Sequence, residues 1–177
     1  MKYDIVLCGV GGQGIILLSS FLAACAHKAG LQVKQSEVHG MAQRGGSVVA
    51  HIRLSDQAIH SPLIPLHQAD MIISMEPLEI YRYLDYAHAG TKIIATRKPV
   101  VNIRNYPEIT SVLEPLEKAG AILADEGNNI LLAGIASNFI PIDNGFFQGV
   151  LTEFFMPKGK QVWQKCQQNY EAGRYVR

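Results

Sequence analysis

The chain has 177 residues, 48% of them hydrophobic and 18% charged, with a formal net charge of +1. That length predicts a single domain over residues 1–177 with room for a real core; the sparse charge excludes a disordered chain, and the near-neutral balance gives no field to attract nucleic acid or an anionic membrane. The three cysteines, Cys8, Cys25 and Cys166, are far apart and form no CxxC, so neither a disulfide framework nor a ferredoxin-type cluster is expected and a reducing, cytoplasmic setting fits best.

Residues 3–8 read as a short buried strand rich in Ile, Val and Leu. The loop Gly9-Val-Gly-Gly-Gln-Gly14 follows at once, and residues 15–29 read as a helix that Gly30 ends. Apolar residues cover most of that helix, so it should be buried on more than one side. With Ser19 and Ser20 inside it, its apolar stretch is too short to span a bilayer. The first residues lack the basic start and long apolar run of a signal peptide.

Residues 31–38 are a second, weaker strand. Residues 47–54 are a clearer one, with Val48, Ala50, Ile52 and Leu54 on one side and Val49, His51 and Arg53 on the other. Between them lies His39-Gly-Met-Ala-Gln-Arg-Gly-Gly46. A parallel neighbour needs a crossover of roughly a dozen residues or more, usually a helix. The shorter glycine-rich connection therefore predicts that the third strand runs antiparallel to the second.

Residues 69–75 are a strand, and Pro77 fits the first turn of a helix running to about residue 87. Residues 92–96 are a strand, 99–107 irregular, 109–119 helical, 121–124 a strand and 129–139 a helix. Residues 146–155 carry apolar pairs at helical spacing, and residues 159–172 are polar except for Val162, Trp163, Cys166 and Tyr170. The alternation predicts a three-layer α/β domain. Its sheet is mostly parallel with at least one antiparallel strand, and helices lie on both faces. It is Rossmann-like without being a standard dinucleotide-binding fold.

Two glycine-rich loops are the candidate site. Gly9, Gly11 and Gly14, with Gly12 and Gln13 between them, satisfy G-x-G-x-x-G between a strand and a helix. Such glycines permit a tight turn and leave helix N-terminal N–H groups free for an anion. Glu37 stands about where a ribose-binding acid would. Two uses remain open for the loop: a nucleotide, or close packing of another backbone. An antiparallel third strand speaks against the first. The second loop holds His39, Gln43, Arg44, Gly45 and Gly46, and should leave the sheet at the same rim. There Arg44 can grip a carboxylate or phosphate in bidentate fashion; the plain alternative is a hairpin end.

Other constellations are weaker. The six histidines make no paired ligand spacing, so no metal site is expected. Cys8 and Cys25 read as inert core. No Ser/His/Asp order is defensible. The stretch Asp125-Glu126-Gly127-Asn128-Asn129 reads as a turn and helix cap, since a thiamine diphosphate site needs a GDG that the chain lacks. Phe146, Phe147, Phe154 and Phe155 are core or interface, and with the apolar first helix they predict that the isolated chain self-associates, as a homodimer for instance, or exposes an apolar patch.

Taken together, GVGGQGI at 9–15 and SEVHGMAQRGGSVVAHIRL at 36–54 closely resemble the gamma-type subunit of 2-oxoacid:ferredoxin oxidoreductases. SEVHGMAQRGGSV looks like the indolepyruvate branch in particular, whereas pyruvate and 2-oxoglutarate relatives tend to carry Tyr-Gly-Pro-Glu-x-Arg-Gly-Gly there. ADMIISMEPLEIYRYL at 69–84, LLAGIASNFIPI at 131–142 and the closing Tyr170-Glu171-Ala172-Gly173 extend the likeness over nearly the whole chain. Residues 124–129 depart from it, being shorter than the family's usual connection. The resemblance implies a noncatalytic subunit of a cytoplasmic enzyme that oxidatively decarboxylates 2-oxoacids, aryl pyruvates for this branch, to acyl-coenzyme A. Electrons pass to ferredoxin. The resemblance further implies thiamine diphosphate, iron–sulfur clusters and coenzyme A in the complex through a large partner subunit, with this chain shaping the coenzyme A side. A pyruvate-type gamma subunit, a free-standing NAD(P)-binding protein and a stand-alone regulatory module are the alternatives.

Overall fold

The computed structural model describes residues 1–39 and 45–176, the side chain of His39 excepted. The apolar run after Met1 forms strand β1 (Lys2–Val10), whose last seven residues are buried. Helix α1 (Ile15–Lys28) follows, then β2 (Gln32–His39) and β3 (Ser47–Ser55). β4 (Ala69–Ser74), β5 (Ala87–Thr96), α2 (Ile109–Lys118) and β6 (Ile122–Ala124) build the other half of the sheet. Three helices close the chain: α3 (Asn129–Ser137), α4 (Asn144–Phe155) and α5 (Lys160–Tyr175).

The six strands are ordered β2-β3-β1-β4-β5-β6. β1, β4, β5 and β6 are parallel, while β3 runs antiparallel to both β1 and β2, as the short connection requires. β2 therefore runs with β1 but does not touch it. In a dinucleotide-binding half the neighbour of β1 would be a parallel strand; here an antiparallel one fills that place.

The two faces of the sheet are covered unequally. α1, α3, α4 and α5 bury one face, where Val48, Ala50, Ile52 and Leu54 join Phe21, Leu22, Leu132 and Phe147. The other face carries Val6, Val49 and Ile72 and is covered by Leu116 of α2, Ile64 and the turns that hold Ile80. Burying each large aliphatic or aromatic side chain contributes roughly 1.5–3 kcal/mol before entropy is counted. α1 is enclosed on several sides, with Leu18, Phe21, Leu22 and Cys25 all buried. Phe147 and Phe155 are buried as well, and Phe21 meets Phe154 edge-on at 6.0 Å. Most of the apolar surface expected to drive self-association is thus core; Ile16 and Phe146 are what remains outside.

Three local expectations need correction. Residues 77–87 form no α-helix: two short 3₁₀ turns, Glu79–Arg82 and Leu84–Tyr86, take their place. Tertiary bonds dictate this, because Glu79 is tied to Ser47 and the Tyr81 hydroxyl donates to the Val112 carbonyl at 2.6 Å. β5 begins at Ala87 rather than at residue 92, and its pairing with β4 shifts at a bulge where the Thr91 hydroxyl donates to the Ala69 carbonyl. In α5, Val162 is exposed while Tyr170 is fully buried. The cap at α3 is as expected: Asn128 Oδ1 accepts from Ile130 N and Leu131 N at 2.9 and 3.1 Å.

Candidate functional site

The carboxyl ends of β1 and β2 and the start of β3 lie on one rim, with Val10 paired to Ser47 and His39 to Val48. The two glycine loops meet there directly: Gly11 N–H donates to the Gly46 carbonyl at 2.9 Å. Inside the first loop the Gln13 carboxamide makes two bonds. Its oxygen accepts from Val10 N–H at 2.7 Å and its nitrogen donates to the Met75 carbonyl at 2.5 Å. Gly9 has to be glycine, because a Cβ would stand 2.7 Å from Gln13 Oε1 and 3.1 Å from Met75 Cβ, at a φ of +157°. Gly14, at φ +83°, caps α1, and a Cβ there would meet Asn129 Nδ2 at 2.5 Å. Gly12 has open space around it. The loop's glycines thus serve close packing at two positions.

Glu37 is paired with Ala50, and Ala50 with Leu7, so β3 separates it from β1. Two strand spacings amount to roughly 9.5 Å. Its carboxylate accepts from Gln35 Nε2 at 3.3 Å. Gly45 and Gly46 lie at the rim, Gly45 accepting from Asn102 Nδ2 at 2.9 Å. Gln43, Arg44 and the His39 side chain lie outside the described residues.

The same rim holds a buried acidic network that spacing in the sequence does not reveal. Glu76, only 1% exposed, follows β4. It accepts from the Tyr106 hydroxyl, from Val100 N–H at 3.4 Å and from Glu79 N–H at 2.9 Å. Glu79 accepts from the Ser47 hydroxyl at 2.6 Å, and Tyr83 lies 3.1 Å from the same hydroxyl. Arg82 Nε is 3.2 Å from Glu79. Burial, then the bond to Glu76, raises the Tyr106 hydroxyl far above the usual phenol range. Among the described residues no buried side-chain polar atom lacks a partner. This network braces backbone, since Glu76 holds the N–H groups of both Val100 and Glu79. An acid placed directly after a buried strand was the one sequence cue for it.

Beside the rim, Gln13, Lys98, Pro99, Val100, Glu126, Gly127 and Asn128 line an open cleft of about 460 Å³. The thiols are poor nucleophiles: burial pushes Cys8 up to about 12 and raises Cys25 further, and Cys166 is also raised.

The profile of the pyruvate ferredoxin/flavodoxin oxidoreductase family matches residues 4–174. The chain belongs to this family. It is similar to indolepyruvate oxidoreductase subunit IorB of Archaeoglobus fulgidus, 34% identical over 167 residues that cover 82% of this chain and 81% of that one. Among solved structures, the pyruvate oxidoreductase subunit PORC of Thermotoga maritima superposes with a TM-score of 0.69 at 17% identity, covering 97% of this chain and 94% of that one. The 2-oxoglutarate:ferredoxin oxidoreductase of Magnetococcus marinus, solved with 2-oxoglutarate, coenzyme A and succinyl-CoA, gives 0.73 at 20% identity. That match covers 99% of this chain but 31% of the much longer one. At these identities the two structures bear on the fold alone.

The strand order carries a prediction about nucleotides. NAD(P)H should bind the chain weakly or not at all, since Glu37 is one strand too far from the glycine loop. Calorimetric titration checks it; micromolar affinity that disappears in Glu37→Ala overturns it.

Proposed function

We propose that the chain is the noncatalytic gamma-type subunit of a thiamine-diphosphate-dependent 2-oxoacid:ferredoxin oxidoreductase, with aryl pyruvates such as indolepyruvate as the substrate class of the assembled enzyme. The observation that carries this reading is the 34% identity to an indolepyruvate oxidoreductase subunit across four-fifths of both chains. The donor chemistry supports it. Cys8 and Cys25 sit apart in the core with raised thiol pKa values, so they do not suit an iron–sulfur cluster. Clusters and thiamine diphosphate belong to the large partner subunit, and electrons leave through that subunit to ferredoxin. This chain braces the partner, and its two joined glycine loops border the side where coenzyme A enters. The working compartment is the cytoplasm.

The test is reconstitution with the partner subunit and assay of ferredoxin reduction by indolepyruvate, pyruvate and 2-oxoglutarate in the presence of coenzyme A. Activity should require both subunits and favour the aryl substrate. An iron–sulfur absorption band in this chain alone sinks the noncatalytic assignment, and a preference for pyruvate moves the substrate class. Arg44 gives a finer readout. Its fork can hold a partner carboxylate or a coenzyme A phosphate, and Lys keeps the charge without the fork. Arg44→Lys and Arg44→Ala should weaken assembly or raise the Michaelis constant for coenzyme A by about ten- to hundredfold. If both variants match the wild type on both measures, the second loop is only a hairpin end.

A further inference from the structure

Segment 97–106 leaves β5 at the carboxyl rim and crosses it as an irregular strap. It is tied down at three points: Val100 N–H and the Tyr106 hydroxyl on buried Glu76, and Asn102 Nδ2 on the Gly45 carbonyl. A carboxylate withdrawn from water is costly unless fully bonded, and here its bonds hold down a strap that shows its apolar side chains to solvent. Val101 is 69% exposed and Ile103 44%. Single exposed aliphatics are ordinary. Here they share a short ordered segment with Val100, and Ile16 and Val38, also exposed, stand on other elements of the same rim. Lys98 and Arg104 are exposed at the two ends of the strap, and neither has an ion pair among the described residues.

We propose that this strap is the element by which the chain grips the catalytic partner, and that it fits a partner surface that is apolar at its centre and carries carboxylates on both sides. The inference rests on the subunit role proposed above. Charge decides the kind of occupant: two unmatched cations flank the aliphatic centre, and opposite charge at an interface rim speeds encounter and fixes register. Ordering the strap in advance removes part of the entropy cost of docking. Val101 and Ile103 then act as anchors, with Lys98 and Arg104 at the rim.

Reconstitution with the partner subunit tests this, using Val101→Asp, Ile103→Asp and the double charge reversal Lys98→Glu/Arg104→Glu. Leu66→Asp and Val162→Asp, at exposed positions away from the rim, serve as controls. Each chain is first shown to keep the wild-type unfolding midpoint and monodispersity. Truncating or charging an anchor at an interface centre typically costs at least about 2 kcal/mol, or roughly thirtyfold in affinity. The two strap aspartates should lose about that much, and the charge reversal should slow association and shift its salt dependence towards acceleration by salt, while the controls assemble normally. If strap variants and controls assemble alike, the strap proposal fails and the subunit role stands. If wild-type chain does not assemble with the partner at all, both fail. If the strap variants instead break a homodimer of the free chain and leave the heteromer intact, the occupant is a second copy and the proposal is overturned.

Discussion

Gly134→Ala is expected to destabilise the chain by about 3 kcal/mol or more, although alanine is the better helix former. In an exposed helix the exchange would gain up to about 1 kcal/mol. Here α3 and α5 cross backbone to backbone. A Cβ on Gly134 would stand 2.1 Å from the Tyr170 carbonyl oxygen and 3.1 Å from Gly173 Cα. The reciprocal Cβ on Gly173 would stand 2.0 Å from the Leu131 carbonyl oxygen. Neither neighbour is a side chain that can swing away, so the helices must separate, and Tyr170, buried between them, loses its packing against Phe147. Overpacking typically costs 1–3 kcal/mol, occasionally more; backbone against backbone belongs at or past the upper end. For a domain of this size about 3 kcal/mol lowers Tm by roughly 6–12 °C. Thermal unfolding by circular dichroism measures it, with Gly149→Ala as control, because a Cβ there meets only Lys28 Nζ at 3.8 Å. Equal midpoints for the two variants would show that the crossing is looser than described.

The second large effect lies at the opposite end of the sheet. Asp4 is fully buried on β1. Its two oxygens accept from Arg53 Nε and Nη2 at 3.0 and 3.1 Å, and Lys2 Nζ lies 3.0 Å from Oδ2. The remaining guanidinium nitrogen, Nη1, donates to the Ser61 and Leu63 carbonyls, which ties the loop after β3 to the sheet. Removing one partner of a buried pair typically costs 3–5 kcal/mol, because the other charge is left desolvated. Asp4→Ala should therefore cost about 3–5 kcal/mol in urea denaturation. Asp56→Ala removes an exposed pair with the N-terminal amine, which solvent screens, and should leave the midpoint nearly unchanged. A loss for Asp4→Ala no larger than for Asp56→Ala would mean that water reaches Arg53.

Some of this was legible in the sequence because a hard constraint spoke. A connection of eight residues cannot carry a parallel crossover, so the antiparallel β3 and the shared rim followed without any contact being known. Asn128 was legible because its short carboxamide beside an apolar run has a local bond to make. What stayed hidden depends on partners far apart in the chain. Tyr106 and Glu76 are separated by 30 positions, and the acid's place after a buried strand names neither of its partners. Gly134 looks like an indifferent helix residue until Gly173 is placed against it. Residues 77–87 have helix-compatible composition, and only the bonds from Glu79 and Tyr81 to distant partners break them into short turns. The family likeness identified the two glycine loops together, but it did not say that Gly11 and Gly46 would bond.

The carboxamide of Gln13 gives the first loop a ligand of its own. Its oxygen accepts from a backbone N–H, as an incoming anion would, while its nitrogen donates a hydrogen bond to the Met75 carbonyl, which no ionised phosphate oxygen can do. An anion that displaced it would gain one donor and find itself facing a carbonyl oxygen. What lies across from the glycines is therefore polar in both senses: the neutral amide of Gln13 satisfies both sides, and a fully ionised phosphate would satisfy only one.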